Sequence, residues 1–134
     1  MERTVTIDGK EVRMRASALI HRLYRIKFGR DMIADMNQLS KAYKRAAALP
    51  ENATEEERQE AQLSVVDLTI FENVAYMMAK HADQNIPSSP NDWLDSFDGV
   101  FSIYEVLPQL IELWGLNVET QAESKKNIAK LTAR

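Results

Sequence analysis

His21 and His81 are the first residues to weigh for proton transfer or metal binding, since imidazole titrates nearest neutrality. They stand far apart in the chain, on separate predicted helices, and neither sits in a local carboxylate–histidine pattern, so both read as structural or surface residues. Asp92, Asp95 and Asp98 could be misread as a calcium loop, but they lack the further ligands and the Gly-then-Glu arrangement of an EF-hand, which leaves a solvated helix start. No serine lies in Gly-x-Ser-x-Gly, and the four glycines form no phosphate-cradling loop. The chain has no cysteine, which removes thiolate nucleophiles, disulfides and the common zinc quartets, so a metal site would have to be built from carboxylates. The expectation is a protein with no catalytic residue, no cofactor and no metal, not an enzyme.

The remaining chemistry is that of surfaces. Arg13, Arg15, Arg22, Arg25, Lys27 and Arg30 make the best case for phosphate contact, as a small helical nucleic-acid-binding or regulatory domain would use them. Against it, Tyr24 and Phe28 have helical spacing that points to a core rather than to stacking on bases, and no DNA- or RNA-binding motif surrounds them. Charge is divided unevenly: residues 1–30 carry +5, residues 31–134 carry −8, and residues 51–123 alone carry −13. Such an acidic body repels phosphates, and self-association or a protein partner suits the dipolar chain better. Met32, Met36, Leu39 and Tyr43, with the adjacent Met77 and Met78, are candidates for an adaptable docking groove; core packing is the more frequent meaning of such a stripe.

These residues need elements to hold them. With 134 residues, 45% of them apolar and 28% charged, the chain is long enough for one domain with its own core. It offers neither an apolar signal-peptide region nor a run of ~18 apolar residues for a membrane span, so an intracellular location is expected. Residues 4–15 alternate apolar and polar on both sides of Asp8-Gly9, which predicts a β-hairpin with Val5, Ile7, Val12 and Met14 on one face. That face must cover a helix layer or join another copy of the chain, which makes these four the candidate self-association residues.

Helical spacing predicts helices over about 17–28 (Ser17 cap, Gly29 stop), 31–48, 55–82 (Thr54/Glu57 capping box), 90–97 (Ser89 cap, Pro90 at the first position) and 103–114 (Ser102/Glu105 capping box, Gly115 stop). Pro108 is expected to disturb the last of these. Residues 117–134 are polar and read as a flexible tail after a packed domain of residues 1–116. The expected fold is mainly α with a small N-terminal β-hairpin, a compact α+β arrangement of about five helices.

The opening Val5-Thr6-Ile7-Asp8-Gly9-Lys10-Glu11-Val12-Arg13-Met14-Arg15-Ala16-Ser17, then Leu23-Tyr24-Arg25-Ile26-Lys27-Phe28-Gly29-Arg30-Asp31, Phe71-Glu72-Asn73-Val74-Ala75-Tyr76 and Trp93-Leu94, resembles the tail assembly chaperones of long-tailed, non-contractile phages and related prophages. The similarity covers residues 4 to about 116 and consists of ordinary residues rather than a chemical signature. It implies a non-enzymatic, mainly helical protein that covers the aggregation-prone helical tape measure protein and promotes polymerisation of tail tube subunits around it. By the same resemblance the partners are the tape measure and tail tube proteins and further copies of the chain, without nucleic acid or membrane. The place of action is the cytoplasm of the bacterial host, and the chaperone is absent from the finished virion. Family members are often made in a second, longer form by programmed ribosomal frameshifting. Lys125-Lys126-Asn127, which can be encoded by a slippery run, is the candidate region for it here.

Overall fold

The computed structural model describes residues 1–99 and 101–115. The chain opens with antiparallel strands β1 (Glu2–Ile7) and β2 (Lys10–Arg15), in register with Val5 opposite Val12 and Ile7 opposite Lys10. Asp8 and Gly9 have φ of 51° and 73°. Positive φ at both central residues is what a two-residue hairpin turn needs to follow the twist of its strands, and it explains why this Asp-Gly pair sets the register. The pairing reaches Glu2, two residues beyond the start at Thr4 predicted from alternation.

Helix α1 (Ala18–Phe28) ends on Gly29, whose φ of 66° lets its N–H return to the Arg25 carbonyl at 2.8 Å. Ser17 occupies the N-cap position, but its hydroxyl makes no capping bond and points to another helix instead. Helix α2 (Met32–Ala47) is capped by the Asp31 carboxylate, which accepts from the Ile33 N–H at 2.9 Å. The single helix expected over 55–82 is two: α3 (Glu55–Glu60) and α4 (Val65–Ala82). Thr54 does cap α3, yet Ser64 and Asp67 form a reciprocal capping box that restarts the chain as α4. The physical reason is burial. Residues of α3 are all exposed, whereas Ala61 and Leu63 turn inward between the two helices, a geometry that one continuous helix with a charged first half would not reach.

Helix α5 (Pro90–Asp95) starts at Ser89, whose hydroxyl accepts from the Asp92 N–H at 3.1 Å. A sixth helix, α6, runs over 103–115, its first bond formed from the Val106 N–H to the Ser102 carbonyl at 3.1 Å. Gly115, predicted as the stop, is still helical. A glycine costs a helix only about 1 kcal/mol, so its neighbours' packing decides, and Leu113 and Trp114 beside it are buried. The expected tail, 117–134, and with it Lys125, Lys126 and Asn127, lies outside the described residues.

The architecture is thus mainly helical, six helices among the described residues with an N-terminal hairpin. Helix α4 is its axis. Strand β2, α1, α2 and α5 all pack on it, and from Ile70 to Ala79 it is buried nearly all round, as its apolar composition requires. One core joins Val5, Ile7 and Met14 of the hairpin to Ile20 and Tyr24 of α1, Met36 and Leu39 of α2, Phe71 and Met78 of α4, and Leu107 and Leu110 of α6.

Candidate functional site

Two buried polar clusters come first, because buried polar groups need a reason. Asp35 is buried on α2 and accepts two hydrogen bonds from the Arg30 guanidinium, at 2.9 and 2.8 Å, and one from the Tyr24 hydroxyl at 2.6 Å. Burial pushes its carboxyl up, but the hydrogen bonds from Arg30 and Tyr24 and the charge of Arg30 together outweigh burial and hold it below the ordinary carboxylate value. Burial, then the bond to Asp35, pushes the Tyr24 phenol up. Every lone pair that matters is used internally, and the cluster joins α1 to α2.

The second cluster is a serine–histidine pair. Ser17 Oγ lies 2.7 Å from His81 Nε2, bringing the start of α1 to the end of α4. Burial first, then Arg15 and the amino terminus, depress His81 and favour the neutral ring, whose tautomer sets which of the two partners donates. A nucleophile–base pair has this geometry, but catalysis also needs a group orienting the second ring nitrogen, and no carboxylate bonds His81 among the described residues. His21, on α1, packs edge-on to Trp114 with ring centroids 5.1 Å apart, and its Nδ1 is buried without a partner among the described residues. No group of three or more His, Asp or Glu able to hold a metal occurs among the described residues.

Structure corrects the predicted docking stripe. Met32, Met36, Leu39, Met77 and Met78 are buried, none more than 5% exposed, and Tyr43 is half-buried against them. Their helical spacing is that of core positions on α2 and α4, and they have no surface to offer a partner. The hairpin residues go the same way: Val5, Ile7 and Met14 are in the core and Val12 packs against it, so the apolar face covers the helix layer and only strand edges remain for pairing between copies. The basic residues are dispersed. Arg30 is bound to Asp35, Arg13 donates to the Ala82 carbonyl and pairs with Glu2, and Lys27 donates to the Ser88 carbonyl. Arg15, Arg22 and Arg25 stay exposed.

The apolar residues that do face outward are others. Leu19 and Ile26 on α1, Ile33 on α2, and Val65, Val66 and Leu68 in the first turns of α4 are exposed, Ile26 at 73% and Val65 at 79%. Leu19, half-buried Leu23 and Ile26 are spaced by four and three residues, which lines them along one flank of α1. Between that flank and the C-terminal half of α4 lies a groove of about 370 Å³ lined by Leu23, Ile26, Lys27, Met77 and Lys80 among others. No family model, curated protein or solved structure matches this chain. Surface geometry therefore carries the functional reading. The signal for it was present in α1, which has two apolar stripes: Ile20 and Tyr24 face the core, and Leu19, Leu23 and Ile26 form the second. A helix that needs only to cover a core has one.

Proposed function

We propose that this protein is a non-enzymatic assembly chaperone of the phage tail type, which holds the apolar faces of a long helical tape measure protein until tube subunits polymerise around it. The observation that carries the reading is the set of apolar side chains turned outward on α1, α2 and α4 of a domain whose core is otherwise complete. Such residues favour a protein partner with apolar helical surface, taken up by helix-in-groove contact. The sequence resemblance to tail assembly chaperones points the same way. Weak individual contacts multiplied over many copies give binding that is firm along a long helix and yet reversible. Nucleic acid fits less well, since Arg13 and Arg30 of the basic group are occupied within the fold.

Co-expression tests the reading. A tape measure protein from the genome that encodes this chain is expected to be insoluble alone, and soluble and co-purifying when this chain is made with it. Unchanged solubility of that protein would defeat the proposal, and so would recovery of this chain as a permanent component of finished particles.

A further inference from the structure

The groove between α1 and α4 has a chemical character that selects its occupant. Its apolar wall is Leu23 and Ile26 of α1, with Met77 of α4 at its base. The α4 residues lining it run from Tyr76 to His81, more than one turn, so the groove follows the helices rather than crossing them. Leu19 continues the apolar wall beyond Leu23, about 10 Å from Ile26 along α1. Among the described residues no acidic side chain lines the groove. Its rim carries Lys27 and Lys80, whose ammonium groups donate only to backbone carbonyls, Lys27 to Ser88 and Lys80 to Gln84 and Ile86. Neither lysine pairs with a carboxylate among the described residues. Arg22, exposed on the outer side of the same stripe, adds a third positive charge, and α1 itself contains no acid to offset it.

We propose that this groove is the partner-binding site, and that it takes an amphipathic helix whose apolar stripe is flanked by glutamate or aspartate. The occupant's apolar side chains bury against Leu19, Leu23 and Ile26. Its carboxylates meet Lys27, Lys80 and Arg22, which supply the sign discrimination and speed encounter. The exposed patch at Val65, Val66 and Leu68, on the first turns of α4, is a poorer candidate, since the chain leading into it carries the acids Glu55, Glu56 and Glu57 rather than a cluster of one positive sign. This inference rests on the chaperone reading for the nature of the partner, but not for its own test.

Two synthetic helical peptides sharing one leucine stripe, one flanked by glutamate and the other by lysine, are titrated against the full chain by fluorescence anisotropy. The acidic peptide is expected to bind about tenfold or more tightly than the basic one, and less tightly as salt rises. Ile26→Glu, at a side chain too exposed to be needed for folding, is expected to weaken the acidic peptide about tenfold or more, while Val65→Glu leaves it unchanged. Equal binding of the two peptides, or full binding by Ile26→Glu, overturns the site. Sedimentation of the free protein completes the test: a dimer that Ile26→Glu dissociates, without peptide binding, would mean that a second copy fills the groove and would overturn the assigned occupant. Repeating the co-expression with both variants separates the two claims. Loss of tape measure solubility with Val65→Glu but not Ile26→Glu keeps the chaperone and moves its site; the expected peptide behaviour with a tape measure protein that no variant or wild type solubilises keeps the groove and removes the chaperone.

Discussion

Asp35 is a carboxylate placed where water cannot reach it, and a buried charge is tolerated only when its partners replace the lost hydration. The two Arg30 bonds and the Tyr24 hydroxyl do so, and the three groups belong to α1, the turn after it and α2. Removing the hydroxyl leaves Asp35 with fewer donors in the same buried place. Tyr24→Phe is therefore expected to destabilise the fold by about 1.5–3 kcal/mol, the worth of a hydrogen bond to a charged group. Urea unfolding measures it, and an unchanged midpoint would remove the cluster from any account of how α1 is held on α2. The raised phenol of Tyr24 adds an alkaline signature. Unfolded chains lose that proton near pH 10 while the folded protein keeps it, so the contribution is complete below pH 10 and is lost as pH rises above it. Tyr24→Phe should abolish that part of the alkaline loss.

At the scale of elements, local chemistry decided more than periodicity did. The Asp8-Gly9 turn, the Gly29 stop, the Thr54 cap and the Ser89-Pro90 start were legible because each depends on a few adjacent residues with a particular backbone preference. The break between α3 and α4 was not, although Ser64 and Asp67 have cap spacing, because the apolar pattern after Leu63 continues without interruption and suggests one helix. The docking residues failed for a related reason: spacing says which side chains share a face, and only packing says whether that face is covered, so Met32 and Met36 look the same in sequence whether buried or bare. Ser64 and Thr54 now allow a comparison. Ser64→Ala removes the cap of the central helix and is expected to cost about 1 kcal/mol. Thr54→Ala removes the same kind of bond from α3, which buries no side chain, and α3 can fray while the core stays intact, so its global cost should stay under about 0.5 kcal/mol. Equal effects on thermal unfolding would show that α3 folds as part of the core.

For the molecule as a whole, the two histidines make stability depend on pH near neutrality. His21 sits between α1 and Trp114 of α6, His81 between α4 and Ser17 at the start of α1, so together they lie where α1 meets both other helices. Burial depresses both below 6.5; for His21 the neighbouring Asp31 opposes this and Arg25 adds to it, and for His81 Arg15 and the amino terminus add to it. A histidine depressed in the fold is protonated first in the unfolded chain. Stability is then full above pH 6.5 and declines as pH falls from there to each depressed folded value, where the loss levels off. Asp35 and Asp67, both held below the ordinary carboxylate value, contribute fully through that range and lose their contribution only below about pH 4. The expected melting curve against pH is a first decline below neutrality and a second, separate one at strongly acid pH. Replacing His81 by Gln, whose amide can still hydrogen-bond Ser17, should shrink the first decline and leave the second untouched. A melting temperature that stays level from pH 7.5 to 5.5 would mean that neither ring is held neutral by the fold. Because His81 also lines the groove beside Lys80, the same proton would add a fourth cation to Lys27, Lys80 and Arg22, so binding of the acid-flanked peptide should not fall in parallel with stability over the first decline, as long as the protein remains folded.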